Sequence, residues 1–207
     1  MNCVICRTPG IDGCIQLMNE YRMLNNIRHH SLVVAQVADA LFCGLEDGTQ
    51  STPLLDRKLI ITGALLHDIA KTPCLEETCD HAALGGQICE EHGYPEIGAI
   101  VREHVILQDH DPDRYRNGLF NEKEIVYYAD KRVRHDEIVS LEERLIYILD
   151  HYARDDQRLQ KLIRENFERC LILEEALFTI LPFRSDELEA RVRFPQPPPG
   201  KEFDPWD

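Results

Sequence analysis

The stretch Leu59-Ile60-Ile61-Thr62-Gly63-Ala64-Leu65-Leu66-His67-Asp68-Ile69-Ala70-Lys71 decides the reading of this chain. A largely apolar run ends in an imidazole, a carboxylate and, a little further on, an amine. Asp56 stands where a helix N-cap belongs, so the segment reads as a helix carrying Leu59 to Ile69. On such a helix Lys71 lies four residues after His67 and three after Asp68, and the polar groups share a face. A buried His-Asp-Lys group at the end of an apolar helix is costly unless its members are paired or hold a metal. The plain alternative is a polar helix end with a capping Asp.

Working outward, further side chains of ligand type stand at His30, His81, His104 and Asp130. The gaps between these positions are each long enough to hold a helix. Metal sites in helical proteins are commonly built in this way, from side chains on separate helices that converge on one centre. Imidazole and carboxylate together suit zinc, iron or manganese better than calcium.

The rest of the chain supports a helical frame. Cys14 to Leu24 reads as a short helix, and Asn25 or Asn26 can cap a long one to about Leu45. Pro73 opens a loop from Thr72 to Asp80. His81 starts a helix that ends at Gly93, and Pro95 opens the next, which carries His104. Gln108 to Gly118 is polar and reads as a loop over the site mouth. Asn121 caps a helix through Asp130 to Arg132. Helices over Leu141 to Tyr152 and Asp156 to Leu181 follow, the last with Leu159, Leu162, Ile163, Phe167, Cys170, Leu171, Leu177 and Phe178 on its apolar side. No useful strand alternation appears, so the expected fold class is all-α, a helical bundle. One domain is expected over residues 1–193, followed by a Pro-rich extension over 194–207 that holds five prolines and Trp206.

Composition narrows the function. The 207 residues suffice for a real core, and 43% hydrophobic content is ordinary for a globular protein. No apolar run approaches the roughly 20 residues that span a bilayer, so no membrane association is expected. The N-terminal residues lack signal-peptide character, and the chain reads as cytoplasmic. A net charge of −14 argues against broad nucleic-acid binding, which needs a basic footprint. It leaves a phosphate substrate open, because bound cations and Lys71 can reverse the sign of one cleft. Free thiols are expected for Cys3-x-x-Cys6 and for Cys74 and Cys79, while Cys43 and Cys89 are expected to be small core residues.

Three segments together resemble the HD-domain metal-dependent phosphohydrolases. They are Arg28-His29-His30-Ser31-Leu32-Val33-Val34-Ala35, Ala64-Leu65-Leu66-His67-Asp68-Ile69-Ala70-Lys71 and Tyr128-Ala129-Asp130-Lys131-Arg132. The order His, His-Asp, Asp is that of the family, and the resemblance runs from about Asn25 to about Tyr152. It selects His30 over His29, since the family position is the His before Ser. His81, with Gly85 shortly after it, and His104 at the end of the next helix resemble the two additional histidines of two-metal members, of which small bacterial proteins are the nearest in spacing. Gly93-Tyr94-Pro95 is explained by a helix C-cap and a helix-opening proline.

The resemblance implies an HD-domain bundle and a metal-dependent phosphohydrolase. The substrate would be a small phosphorylated molecule of nucleotide type, for example a dinucleoside polyphosphate, cleaved at a phosphoester or phosphoanhydride. It implies divalent metal ions, two of them, iron, manganese or zinc, with magnesium compatible. His30, His67, Asp68 and Asp130 would hold the first and His81 and His104 the second, with Asp68 bridging. Lys71 and Asp68 would be catalytic, Lys71 as a point charge on a phosphate or leaving oxygen. Lys131, Arg132 and Arg134 either bind further phosphates or form a solvated basic face. His110, His135 and His151 read as solvated, with His110 closest to the site through its loop. A one-metal nucleotidase and a metal-binding signalling module without turnover are the alternatives, and a homodimer stays open.

Overall fold

A computed structural model describes residues 8–48, 55–77 and 79–192. The expectations for Cys3 and Cys6 and for the Pro-rich extension lie outside them. Among the described residues the chain is helical apart from one small hairpin. The helices are α1 (Ile11–Glu20), α2 (Asn25–Gly48), α3 (Arg57–Leu66), α4 (Lys71–Glu76), α5 (His81–Glu91), α6 (Pro95–Glu103), α7 (Pro112–Arg116) and α8 (Glu122–Lys131). The hairpin of β1 (Val133–Arg134) and β2 (Glu137–Ile138) follows, antiparallel, with Val133 opposite Ile138. Helices α9 (Leu141–Tyr152), α10 (Gln157–Ile180) and α11 (Leu188–Arg191) complete the fold. None of these helices is long and apolar enough to cross a membrane.

Helices α2, α3 and α8 form the centre and pack on one another. Their contact is a continuous apolar layer in which Val34, Val37, Leu41, Ile60, Leu66, Ile125 and Tyr128 are fully buried. Asp56 caps α3 through Lys58 and Leu59 N–H, as its sequence position predicts. Asn121 and Glu124 form a reciprocal capping box on α8, which fixes where that helix begins and so where Asp130 arrives.

Helices α5 and α6 make a tight pair. Gly93, with φ +82°, ends the first, and Pro95 opens the second. A methyl on Gly98 would come within 2.8 Å of the Gly86 carbonyl oxygen, so the two backbones pack at a distance that only glycine permits. This hairpin brings His81, the first residue of α5, beside His104, which follows the last residue of α6.

Several local expectations need correction. Helix α1 begins earlier than Cys14, at Ile11, and α2 runs on to Gly48. The segment after Lys71 is a short helix rather than a loop, with Pro73 inside its first turn, where the missing N–H costs nothing. Residues 108–118 do not hang over the site mouth. Tyr115 is buried, Arg114 pairs with the buried Glu124, and His110 Nε2 meets the Arg169 carbonyl on α10 at 3.1 Å, so this segment is fastened to α10 and α8. Along α10 the buried residues are Phe167, Cys170, Leu173 and Leu177, whereas Leu159, Leu162 and Leu171 face water. Cys43 is exposed, Cys89 is buried, and Cys74 and Cys79 are joined as a disulfide with their Cα atoms 5.1 Å apart, where free thiols were expected.

Candidate metal centre

The site forms where α2, the end of α3, α5, α6 and α8 meet. His30 comes from the second turn of α2 and His29 beside it is exposed, as the helical spacing allows of neighbours. His67 and Asp68 follow the last residue of α3. Helix α3 stops at Leu66, two to three residues before the expected end, and the backbone tightens into i→i+3 bonds, Ile69 N–H to Leu66 O and Lys71 N–H to Asp68 O. Residues three apart are eclipsed in such a turn. Lys71 therefore meets Asp68, Nζ to Oδ2 2.7 Å.

Each of three imidazoles is fixed through its Nδ1. His67 Nδ1 donates to Ala64 O at 2.7 Å, His104 Nδ1 to Val101 O at 2.6 Å, and His30 Nδ1 to His135 O at 2.9 Å. A backbone carbonyl on one ring nitrogen sets the tautomer and turns the other nitrogen toward a metal. The Nε2 atoms converge. His30 Nε2 lies 3.0 Å from Asp130 Oδ1, His67 Nε2 3.4 Å from Asp68 Oδ2, and His81 Nε2 3.2 Å from His104 Nε2. Asp68 Oδ1 reaches toward His81 and His104, at 3.4 and 3.6 Å, while Asp68 Oδ2 faces His67 and Lys71. Its carboxylate thus joins two donor sets. His30, His67 and Asp68 form one, Asp68, His81 and His104 the other, and in each set the donor atoms lie within 4.8 Å of one another.

The burial is severe for groups of this type. His67 and Asp68 are at most 1% exposed, and His30, His104 and Asp130 at most 7%. His67 Nε2 and Asp68 Oδ1 find no hydrogen-bond partner among the described residues. A buried acceptor left unmatched costs about 1–3 kcal/mol, and a cation among these atoms removes that cost. The donor set fits the group the sequence implies.

The charges support one another. Burial alone lowers the His67 pKa, but the Asp68 and Asp130 carboxylates outweigh it and push it up to about 9. Burial raises the carboxyls of Asp68 and Asp130, yet the surrounding cations hold both well below the ordinary range. Burial also works against the Lys71 ammonium, and Asp68 more than restores it. His30 and His81 are pushed down chiefly by burial, His81 to about 4.

The structure brings His30, His67, Asp68, His81, His104, Asp130 and Lys71 into one cluster, and it holds the head groups of the other basic residues on partners within the fold. Lys131 Nζ is buried against Asp130 Oδ2 at 2.8 Å and His104 O at 2.9 Å. Arg132 is buried against Val139 O, Ser185 O, Tyr128 and Glu174. Arg134 pairs with Glu137 across the hairpin. The phosphate-binding expectation for Lys131 and Arg132 is therefore corrected, because both head groups are held by the fold. Lys131 instead braces the last carboxylate. No motif signals this role, nor that of His135, whose backbone carbonyl orients His30, since a carbonyl contact does not depend on residue type.

The HD domain family matches residues 27–155. The chain belongs to the HD-domain family. All six candidate ligands fall inside the match. The curated relatives include the tRNA (cytidine(56)-2′-O)-methyltransferase of Thermoplasma volcanium, 26% identical over 190 residues that cover 87% of this chain and 50% of the relative. The protein of the same name from Picrophilus torridus is 27% identical over 180 residues, 78% of this chain and 48% of the relative. The chain spans about half the length of these relatives. No solved structure matches it.

Proposed function

We propose that this HD-domain chain is a two-metal phosphohydrolase that cleaves a phosphoester or phosphoanhydride of a small nucleotide-type substrate. The observation that carries the reading is the Asp68 carboxylate, shared between one set of histidines on each side and left with an unmatched oxygen. His30, His67, Asp68 and Asp130 would hold one divalent ion and Asp68, His81 and His104 the other. When bound, such ions polarise phosphoryl oxygens and supply a nucleophile from water near neutral pH.

The chain's own residues do the rest. Ala64, Val101 and His135 carbonyls keep three imidazoles in the ligating tautomer. Lys131 keeps Asp130 in place. Lys71, with its side chain one third exposed, offers a positive charge to a phosphate oxygen at the mouth.

Methyl transfer to tRNA, the activity in the relatives' name, does not extend to this chain on half their length at 26–27% identity. The −14 charge offers no footprint for a long nucleic acid. The test is metal content of the purified chain followed by phosphate release from a nucleotide panel. Two metals and turnover support the proposal. One metal with turnover points to the one-metal nucleotidase, and metal without turnover to a signalling module.

A further inference from the structure

A row of aromatic side chains runs along α9 and the hairpin to the edge of the metal cleft. It starts at His135, whose carbonyl accepts from His30 Nδ1. The His135 ring meets Tyr147 edge-on at 5.2 Å, Tyr147 and His151 stack at 5.4 Å with an interplanar angle of 11°, and His151 meets Tyr152 at 4.8 Å. Tyr152 in turn lies within electrostatic range of Lys71. One end of the row is thus anchored on a candidate ligand and the other lies near the proposed phosphate-binding lysine.

These rings do little for the core. His135 and His151 are exposed, Tyr152 is 59% exposed, and Leu141 is the one fully buried residue of α9 among those described. Tyr147 and His151 are four residues apart and share one helix face. His135 holds φ +57°, a conformation that residues other than glycine adopt rarely, and that backbone both presents the carbonyl to His30 and lets the ring meet Tyr147. The Arg144 guanidinium lies over Tyr147 at 5.5 Å, and its buried Nε meets no hydrogen-bond partner among the described residues.

We infer that this row is a stacking platform for a nucleobase, so that the substrate's phosphate enters the histidine cleft past Lys71 while its base lies on the exposed Tyr152 and His151 rings, which Tyr147 backs. The inference rests on the phosphohydrolase reading and adds to it the residues that select a base-bearing phosphate over a bare sugar phosphate. Every nucleobase has a π-face, so stacking is sequence-tolerant, and loss of one aromatic partner costs about a factor of ten in affinity.

The experiment compares adenosine 5′-monophosphate with ribose 5-phosphate, which carries a hydroxyl at the anomeric carbon in place of the base. Equilibrium binding to the metal-loaded chain is measured by calorimetry. The expected result is at least a tenfold preference for the nucleotide. Tyr152→Ala should reduce that preference and Tyr152→Phe should keep it, with ribose 5-phosphate binding and metal content unchanged in both. Equal affinity for the two ligands overturns the platform and leaves the phosphohydrolase reading standing. A Tyr152→Ala variant that weakens both ligands alike, or neither, also overturns it. Failure of both ligands to bind the metal-loaded wild-type chain removes the phosphate reading and the platform together.

Discussion

Lys71 Nζ and Asp68 Oδ2 stand 2.7 Å apart, so a basic head group at the mouth of the cleft is tied to the carboxylate that joins the two donor sets. The pair places a positive charge beside the atoms that would hold metal, where charge on a phosphate oxygen would grow as its bond breaks. A donor of this kind is worth about 3–4 kcal/mol when it acts in the transition state. Lys71→Ala should lower turnover on the order of a hundredfold, with both metals retained, because no ligand is removed. Rate, metal content and melting temperature on one preparation decide the matter. A variant with wild-type turnover per folded molecule would show that Lys71 only balances Asp68.

His81 is the ligand that can be removed most cleanly. Its side chain is 28% exposed, so truncation leaves no sealed cavity, whereas His67 and His104 are packed in the interior. His81→Ala should lose one of two metals and most of the activity while circular dichroism stays helical. His104→Ala should do the same at a larger cost in stability, since it also leaves Val101 O without its partner. Two metals still bound in either variant would end the two-metal assignment.

Much of this centre can be read from the chain. The family order selects His30 over His29, and Gly93 and Pro95 predict where α5 ends and α6 begins, with His81 and His104 at their outer ends. What could not be read follows from contacts without a periodic signature. The turn at residues 67–70 replaces the last turn of the expected helix with i→i+3 bonds, and it is this turn that sets Lys71 on Asp68. Lys131 and Arg132 look like a basic patch in sequence. They are buried because Asp130, the His104 carbonyl and Glu174 are present to receive them. The Leu159 and Leu162 positions continue the apolar stripe of α10 in the sequence, yet both side chains are exposed.

Proton linkage gives an independent check on the histidines. In chelator-treated protein His67 is raised to about 9, above its unfolded value, so its contribution to stability is present below about pH 6.5 and is lost as pH rises through 9. His30 and His81 are lowered, so their contributions are present above about pH 6.5 and are lost as pH falls. The metal-free chain should therefore be most stable near neutrality and weaken on the alkaline side up to about pH 9. A metal on His67 Nε2 must displace that proton. Metal binding at pH 7.5 should release protons, read as a dependence of calorimetric heat on the buffer's ionisation enthalpy. Heat independent of buffer would show that His67 is already neutral in the free chain.

The packing of α5 on α6 should control the second metal without touching a ligand. Gly98 faces the Gly86 carbonyl, and a Cβ there would lie 2.8 Å from that oxygen and 3.2 Å from Glu90 Cγ. The glutamate can move aside but the backbone carbonyl cannot, so the helices must separate. Alanine gains about 0.5–1 kcal/mol over glycine as a helix former. Overpacking against a fixed atom costs about 1–3 kcal/mol and outweighs that gain. Gly98→Ala should lower the melting temperature by a few degrees, since a chain of this size shifts by about 2–4 °C per kcal/mol. Its more telling effect concerns geometry. His81 opens α5 and His104 closes α6, so separation of the helices pulls apart the two imidazoles that stand 3.2 Å from each other. His30, His67 and Asp130 lie on other elements and should keep their ion. Stepwise chelator titration of Gly98→Ala should therefore release one metal at lower chelator than wild type and the other unchanged. Loss of both metals in parallel would mean that the α5–α6 hairpin supports the whole centre rather than its second half.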